Sequence, residues 1–171
     1  MHQNYGVDTL IKSFSLLYKK YPNIRLKIIG SGQEKKNLVD LVKHLAIEEL
    51  VEFIPKVDHS QVPIELNKMD IFVALSNFES FGVAIIEANA CGLPVVVSDT
   101  DGPAEVVVQN KTGLVVPKNN PVASAKAIEL LINDKKLREK LGLEGRLHVK
   151  EHYMWDSCVD KLIGVYKELY E

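Results

Sequence analysis

The sequence predicts an α/β fold, a Rossmann-like parallel sheet with helices on both faces. Three observations carry that expectation. Apolar residues alternate between helical and strand periodicity along the chain. The candidate strands are short and β-branched, and Asp70–Leu75 is nearly continuous in apolar character, which suits strands covered on both faces. From Pro121 onward no strand signal remains, so the sheet is complete before a wholly helical last third. At 171 residues the chain fits one domain over 1–171, and 46% hydrophobic with 26% charged residues is ordinary globular composition.

The elements follow in order. Val7, Leu10, Ile11, Phe14, Leu17, Tyr18 and Tyr21 recur at helical spacing. Ile24–Ile29 reads as a strand closed by Gly30. Leu38, Leu41, Val42 and Leu45 mark a second helix, followed by a strand at Leu50–Ile54. A short helix over Gln61–Asn67 leads into the strand at Asp70–Leu75. Gly82–Ala90 is helical and is ended by Gly92 and Pro94. Val95–Val97 is a buried strand. Gly102, Pro103 and Glu105 suit N-cap, N1 and N3 of a short helix. Asn110–Gly113 is a turn and Leu114–Val116 the last strand. Helices are expected over 121–133, 134–149 and 155–171, with breaks near Asn133 and His152.

Composition excludes several classes. With 21 basic and 23 acidic residues, net −2, no large positive field awaits a nucleic acid. No apolar run reaches the length, about 18 residues or more, of a membrane span. MHQNYGVDTL lacks the layout of a secretory signal, so the expected location is cytoplasmic. Two cysteines, Cys91 and Cys158, make neither a disulfide framework nor a zinc site.

In a parallel sheet the ligand crevice lies at the carboxyl ends of the strands. That places Gly30–Gln33, Ser76–Gly82 and Ser98–Gly102 in the expected site. The densest stretch is NFESFGVAIIEANACGLPVV, residues 77–96. Ser80 is a candidate N-cap, and the amides of Phe81, Gly82 and Val83 would point out of the helix start. Such a start binds phosphate or sugar oxygens. Glu79 precedes the helix and Glu87 follows with seven residues between them, so two carboxylates can serve one ligand from two depths. Taken singly, Glu87 reads equally well as a solvated helix residue and Glu79 as a loop acid.

This stretch resembles the signature of the group-1 (GT4-type) retaining glycosyltransferases, whose GT-B architecture sets two Rossmann-like domains about one active site. YGVDTLIKSF, IRLKIIGSG, VEFIPKV, DIFVALSNFESFG, EANACGLPVVVSDTDGPAEVV, NKTGLVVP and HYMWDSCVDKLIGVYKELY resemble the donor-binding half of that family in order. The resemblance implies that Glu79 contacts the transferred sugar. It places Ser80 and the amides of Phe81, Gly82 and Val83 at sugar and diphosphate oxygens, and Glu87 at the ribose hydroxyls. Pro55, Lys56 and Val57 would lie along the base, and Gly30 and Gly32 would let phosphates and acceptor approach. The donor, a nucleoside-diphosphate sugar such as a UDP- or GDP-sugar, would be substrate, with no cofactor and no metal. A glycan or lipid-linked acceptor would come through an amino-terminal domain, toward which the helix at about 155–171 crosses. The resemblance also allows peripheral association with the inner face of the membrane.

Two departures accompany the resemblance. The family places an Arg and a Lys on the loop after its first strand, to neutralise the diphosphate. Here Gln3 and Asn4 stand where a lysine is expected beside Tyr5–Gly6. That first strand is itself absent, as in a truncated chain or a misassigned start. In relatives it is central, so a gap is expected between the strands at 24–29 and 70–75.

Other signals are weaker. Gly30-Ser31-Gly32 begins a dinucleotide fingerprint whose third glycine position is Lys35, and no P-loop or Gly-x-Ser-x-Gly elbow is in register. His148 and His152 read as a surface pair, Cys91 as a small core residue, Lys135–Lys140 as a solvated helix face. Tyr153, Trp155, Tyr166 and Tyr170 read as packing residues, with Trp155 a candidate anchor for the crossing helix. Two rival functions stay open: a non-catalytic nucleotide-sugar-binding module, and a glycosidase using Glu79 and Glu87. The last needs carboxylates about 5–5.5 Å apart for retention or about 6.5–9.5 Å for inversion.

Overall fold

A computed structural model describes residues 2–170, the side chain of Tyr170 excepted. β1 (Leu26–Ile29) pairs in parallel with β2 (Val51–Ile54), with Leu26 opposite Val51 and Ile28 opposite Phe53. β3 (Phe72–Ala74), β4 (Val95–Ser98) and β5 (Gly113–Val116) form a second parallel sheet in that order. Among the described residues the two sheets are not hydrogen-bonded to each other, so the gap expected between the strands at 24–29 and 70–75 is present.

Strand alternation sends successive side chains to opposite faces, and β4 shows it cleanly. Val96 joins the cluster built with Leu17 of α1 (Val7–Leu17), Ile128 and Leu131 of α6 (Pro121–Asn133) and Leu141 of α7 (Lys135–His152). Val95 and Val97 join the other, with Leu66 of α3 (Val62–Leu66), Ile85 of α4 (Val83–Ala90) and Val106 of α5 (Asp101–Val106). All three valines are 0% exposed. A third cluster wraps the smaller sheet: Ile11 and Phe14 of α1, Ile28 of β1, and Leu38 and Val42 of α2 (Lys35–His44). α1 therefore contributes to both halves.

The observed boundaries correct some expectations. The apolar run through Tyr18 and Tyr21 outlasts α1, because Tyr21 is drawn sideways: its hydroxyl donates to Glu129 Oε1 at 3.0 Å and accepts from Asn133 of α6. β3 is helix-covered but only half-buried along its length, because its edge toward β1 has no neighbour. α5 begins at Asp101 with Thr100 in the N-cap position, so Gly102 lies inside the helix. Among the aromatic residues expected to pack, Trp155 is 80% exposed and Tyr166 is exposed on α8 (Trp155–Tyr170). Only Tyr153 finds a ring partner; the side chain of Tyr170 lies outside the described residues.

The breaks between the last helices are made by caps. Asn120 Oδ1 accepts from the Ala123 amide at 3.0 Å with Pro121 following, and Asp134 Oδ1 accepts from Leu137 at 2.9 Å. Asn120→Ala is expected to cost about 1 kcal/mol. Denaturant unfolding checks it, as a lower midpoint at unchanged slope.

Candidate functional site

The loop after β3 carries the site. Ser98 Oγ donates to the Ser76 carbonyl at 2.5 Å, tying the ends of β3 and β4. The Asn77 amide donates to the Asn4 carbonyl at 2.6 Å, and Phe78 reaches the same oxygen at 3.5 Å. The Gly102 amide donates to the Glu79 carbonyl at 3.2 Å. On its outer side Phe81 stacks edge-on against Tyr153, centroids 5.9 Å apart. Burial pushes the Tyr153 phenol above its ordinary value, and burial with neighbouring His152 holds His148 below its own.

The sequence expectation for the start of α4 is corrected. Gly82, not Ser80, occupies the N-cap position, at φ +92 and ψ +49, with no side-chain cap. A left-handed glycine allows the abrupt turn from loop to helix, and a Cβ there would lie 2.8 Å from Ile85 Cδ1. The Glu79 carboxylate turns back to accept from the Phe81 amide at 3.4 Å. The amides of Gly82, Val83 and Ala84 make no hydrogen bond among the described residues. These are the orphan donors of a helix start, and they favour an anion.

Gly102 explains its own placement inside α5. A Cβ there would sit 2.5 Å from the Phe81 amide nitrogen and 2.7 Å from the Glu79 carbonyl. Gly102→Ala should displace the Glu79–Phe81 backbone and lower the unfolding midpoint, an overpacking cost of about 1–3 kcal/mol. Denaturant unfolding of that variant checks it; an unchanged midpoint would mean the loop gives way freely.

Glu79, Gly82, Glu87 and Val57 line one cavity, which runs between the two sheets along β1 and β3 and reaches the carboxyl ends of those strands, so four predicted residues border one space. Glu79 also faces a smaller cavity with His2, Tyr5 and Phe78. Ser80, Phe81 and Val83 lie at the exposed mouth. Pro55 and Lys56 are exposed beyond β2 and lie outside the cavity lining, as do Gly30 and Gly32 beyond β1. Gly30 is half-buried and Gly32 exposed; both have positive φ, +134 and +150, and a Cβ on Gly30 would meet nothing.

Sequence reasoning missed His59, and it missed the contacts that Asn4 and Asn77 make. His59 Nδ1 lies 3.5 Å from Glu87 Oε1, across the cavity mouth from the helix. Asn4 holds the loop through its backbone, and Asn77 keeps a buried Oδ1 without a partner. Nothing local in the sequence marks them; all three depend on contacts between distant segments.

Fold and site define a class: a Rossmann-like GT-B-type domain, with a glycine-led helix and acidic side chains at the carboxyl ends of its strands. Residues 1–148 match the family model described as "Glycosyl transferases group 1". The chain is 34% identical over 162 residues to the capsular polysaccharide biosynthesis glycosyltransferase CapM of Staphylococcus aureus, covering 94% of this chain and 42% of that protein. It superposes on the C-terminal domain of the group-1 family protein LpcC of Francisella tularensis with TM-score 0.83 at 27% identity, covering 91% of this chain and 83% of that one. With a mutant of S. aureus TarM, solved with fondaparinux, α-GlcNAc-glycerol and UDP, the TM-score is 0.89 at 25% identity, covering 97% and 34%. The chain belongs to the group-1 glycosyltransferases. It spans less than half the length of the curated relatives it matches. Membership leaves the glycosidase reading without support. Among the described residues no helix is long and apolar enough to cross a membrane.

Proposed function

We propose that this chain is the donor-binding half of a glycosyltransferase, holding a nucleoside-diphosphate sugar while the sugar passes to an acceptor with retention of configuration. The observation that carries this reading is the convergence of Glu79, Gly82 and Glu87 on one cavity, beside free amides at the start of α4. Related TarM, solved with UDP, supports it.

In this reading the amides of Gly82 and Val83, with Phe81 once Glu79 releases it, take diphosphate and sugar oxygens. Glu79 meets the sugar hydroxyls at the junction of the two cavities, and Glu87 takes the ribose diol. Val57 lies along the base, with Pro55 and Lys56 beside it, and Gly30 and Gly32 leave room for phosphate and acceptor. Ser80 faces the sugar from the mouth. The protein's part is positioning and electrostatic stabilisation of the departing diphosphate, needing neither metal nor cofactor from this half. The acceptor, a glycan or lipid-linked sugar, meets the donor from an amino-terminal domain, in the cytoplasm or at the inner membrane face.

A second reading, a binding module without catalysis, is favoured by one observation: uncharged Gln3 and Asn4 occupy the segment next to Glu79 where the family resemblance implies a cation, and the Asn4 carbonyl is committed to the loop. Calorimetric titration with UDP-, GDP- and ADP-sugars tests both. Binding lost in Glu87→Ala supports a donor site, and measured transfer separates enzyme from module. If no nucleotide sugar binds and Glu79→Gln changes nothing, the donor reading fails.

A further inference from the structure

A cluster of rings joins the end of α7 to the loop that carries Glu79. Tyr153 caps that end of the helix, its amide donating to the Val149 carbonyl at 2.9 Å. Its ring lies edge-on to Phe81 of the loop, centroids 5.9 Å apart, with His148 at 5.7 Å and His152 at 6.4 Å. The two imidazoles are 4.5 Å apart, about one helical turn from each other. Tyr153 and both histidines are half-buried, so this is a packed junction. Phe81 is the loop's hold on it. The Phe81 amide donates to Glu79 Oε1 at 3.4 Å, and the Glu79 carbonyl accepts from Gly102 at 3.2 Å. Displacing Phe81 therefore disturbs Glu79 at both its carboxylate and its carbonyl.

The packing of this junction depends on charge. Neutral rings attract one another edge to face. An imidazolium needs water or a counter-charge, and two of them at this separation oppose each other. The charged neighbours come from several elements. On α7, Glu151 Oε2 lies 3.7 Å from His152 Nε2 and pairs with it once that ring is protonated, and Glu144 stands one turn before His148. Lys111, in the turn before β5, opposes a charge on His148, while Glu105 of α5 and Cys158 of α8 face Tyr153. Burial above all, then His152 and Lys111, holds His148 below its ordinary value against the pull of Glu151. The folded junction thus binds a proton at His148 less readily than the unfolded chain does. Its contribution is complete above the ordinary histidine value and is lost as pH falls from there through the lowered one.

We propose that His148, His152 and Tyr153 form a pH-sensitive bracket on the Glu79 loop, which grips Phe81 while both imidazoles are neutral and releases it when the pair is protonated. A protonated ring turns toward water, Tyr153 loses its backing, and Phe81 loses the face against which it rests. The release is a property of the junction and is independent of the donor reading. Its consequence, weaker nucleotide-sugar binding as pH falls, rests on that reading.

Amide hydrogen exchange in the 171-residue chain, without ligand, tests the release, each rate being divided by the intrinsic rate at the same pH. The reporter is the Gly102 amide, whose acceptor is the Glu79 carbonyl. Its protection should fall about 5-fold between about pH 7.5 and about pH 5.5, the span in which imidazoles take up protons. By NMR the Phe81 amide shift should follow the titration of the His148 ring over the same span. In the double variant His148→Gln, His152→Gln protection should stay level across it. Tyr153→Leu should lower protection at every pH and remove the pH response, which a purely structural contact elsewhere would leave in place. His152→Gln alone, at the more exposed ring, covers a double variant that fails to fold, and should reduce the fall. A flat profile in the parent, or the same fall in the glutamine variants, overturns the proposal. So does protection that rises on acidification, which would mean that a cation held over the Tyr153 face tightens the junction. Because no ligand is present, these outcomes stand apart from success or failure of the donor titrations.

Discussion

Gly6→Ala should destabilise the protein by about 3 kcal/mol or more, the sum of left-handed backbone strain and overpacking. Gly6 sits at φ +58 between the first turn and α1, and a Cβ there would collide with the carbonyl oxygen of Leu75. That oxygen belongs to buried Leu75, directly after β3, in a segment tied to β4 through Ser76 and Ser98, so neither partner can retreat cheaply. At about 2–4 °C per kcal/mol for a domain this size, the melting point should fall by roughly 6–12 °C. Gly92→Ala is the control. Gly92 has φ +78 but a Cβ would meet nothing, so strain alone remains, about 1–2 kcal/mol. Equal losses in the two variants would show that contact with Leu75 does not matter.

Glu87→Ala should weaken nucleotide-sugar binding about 100-fold while leaving the fold nearly intact. A carboxylate accepting from both hydroxyls of a ribose makes two charge-assisted bonds, and losing them costs about 3 kcal/mol. Its side chain is 27% exposed and its side-chain partner among the described residues is His59, which is 91% exposed and pairs as an ion only when protonated, so stability should move by no more than about 0.5 kcal/mol. Glu87→Gln keeps one acceptor and should lose about 10-fold. His59→Ala frees the carboxylate, so affinity should hold or rise a few-fold. A Glu87→Ala protein that binds the donor like the parent removes Glu87 from the ribose.

Parallel pairing was legible because period and β-branching are local signals, whereas the break in the sheet was expected only through the family resemblance, whose first strand has no counterpart among the recurrent motifs. Local reasoning failed where a distant segment decides. Ser80 has the chemistry of an N-cap, yet the turn needs a left-handed residue, and Gly82 supplies it two positions later. Gly102 and Pro103 look like a helix start, but the glycine is there because the loop at Glu79–Phe81 lies on it. The apolar run at Asp70–Leu75 shows that β3 is flanked by helices, and says nothing of its edge. His59 reaches Glu87 from a short turn with no periodicity of its own, so no spacing rule joins them. That Glu79 and Glu87 border one cavity was legible, because a single helix start places both.

The loop that carries Glu79 is fastened by Asn4 at its start, Gly102 in its middle and Tyr153 at Phe81. Chain held in this way has little configurational freedom left to surrender. Ordering a mobile side chain on binding costs about 0.5–1.5 kcal/mol, and a loop already in place spares most of that loss. Rigidity also limits accommodation: in the proposed donor site such a loop would select among sugars by rejecting those that do not fit its fixed outline, rather than by adjusting to each.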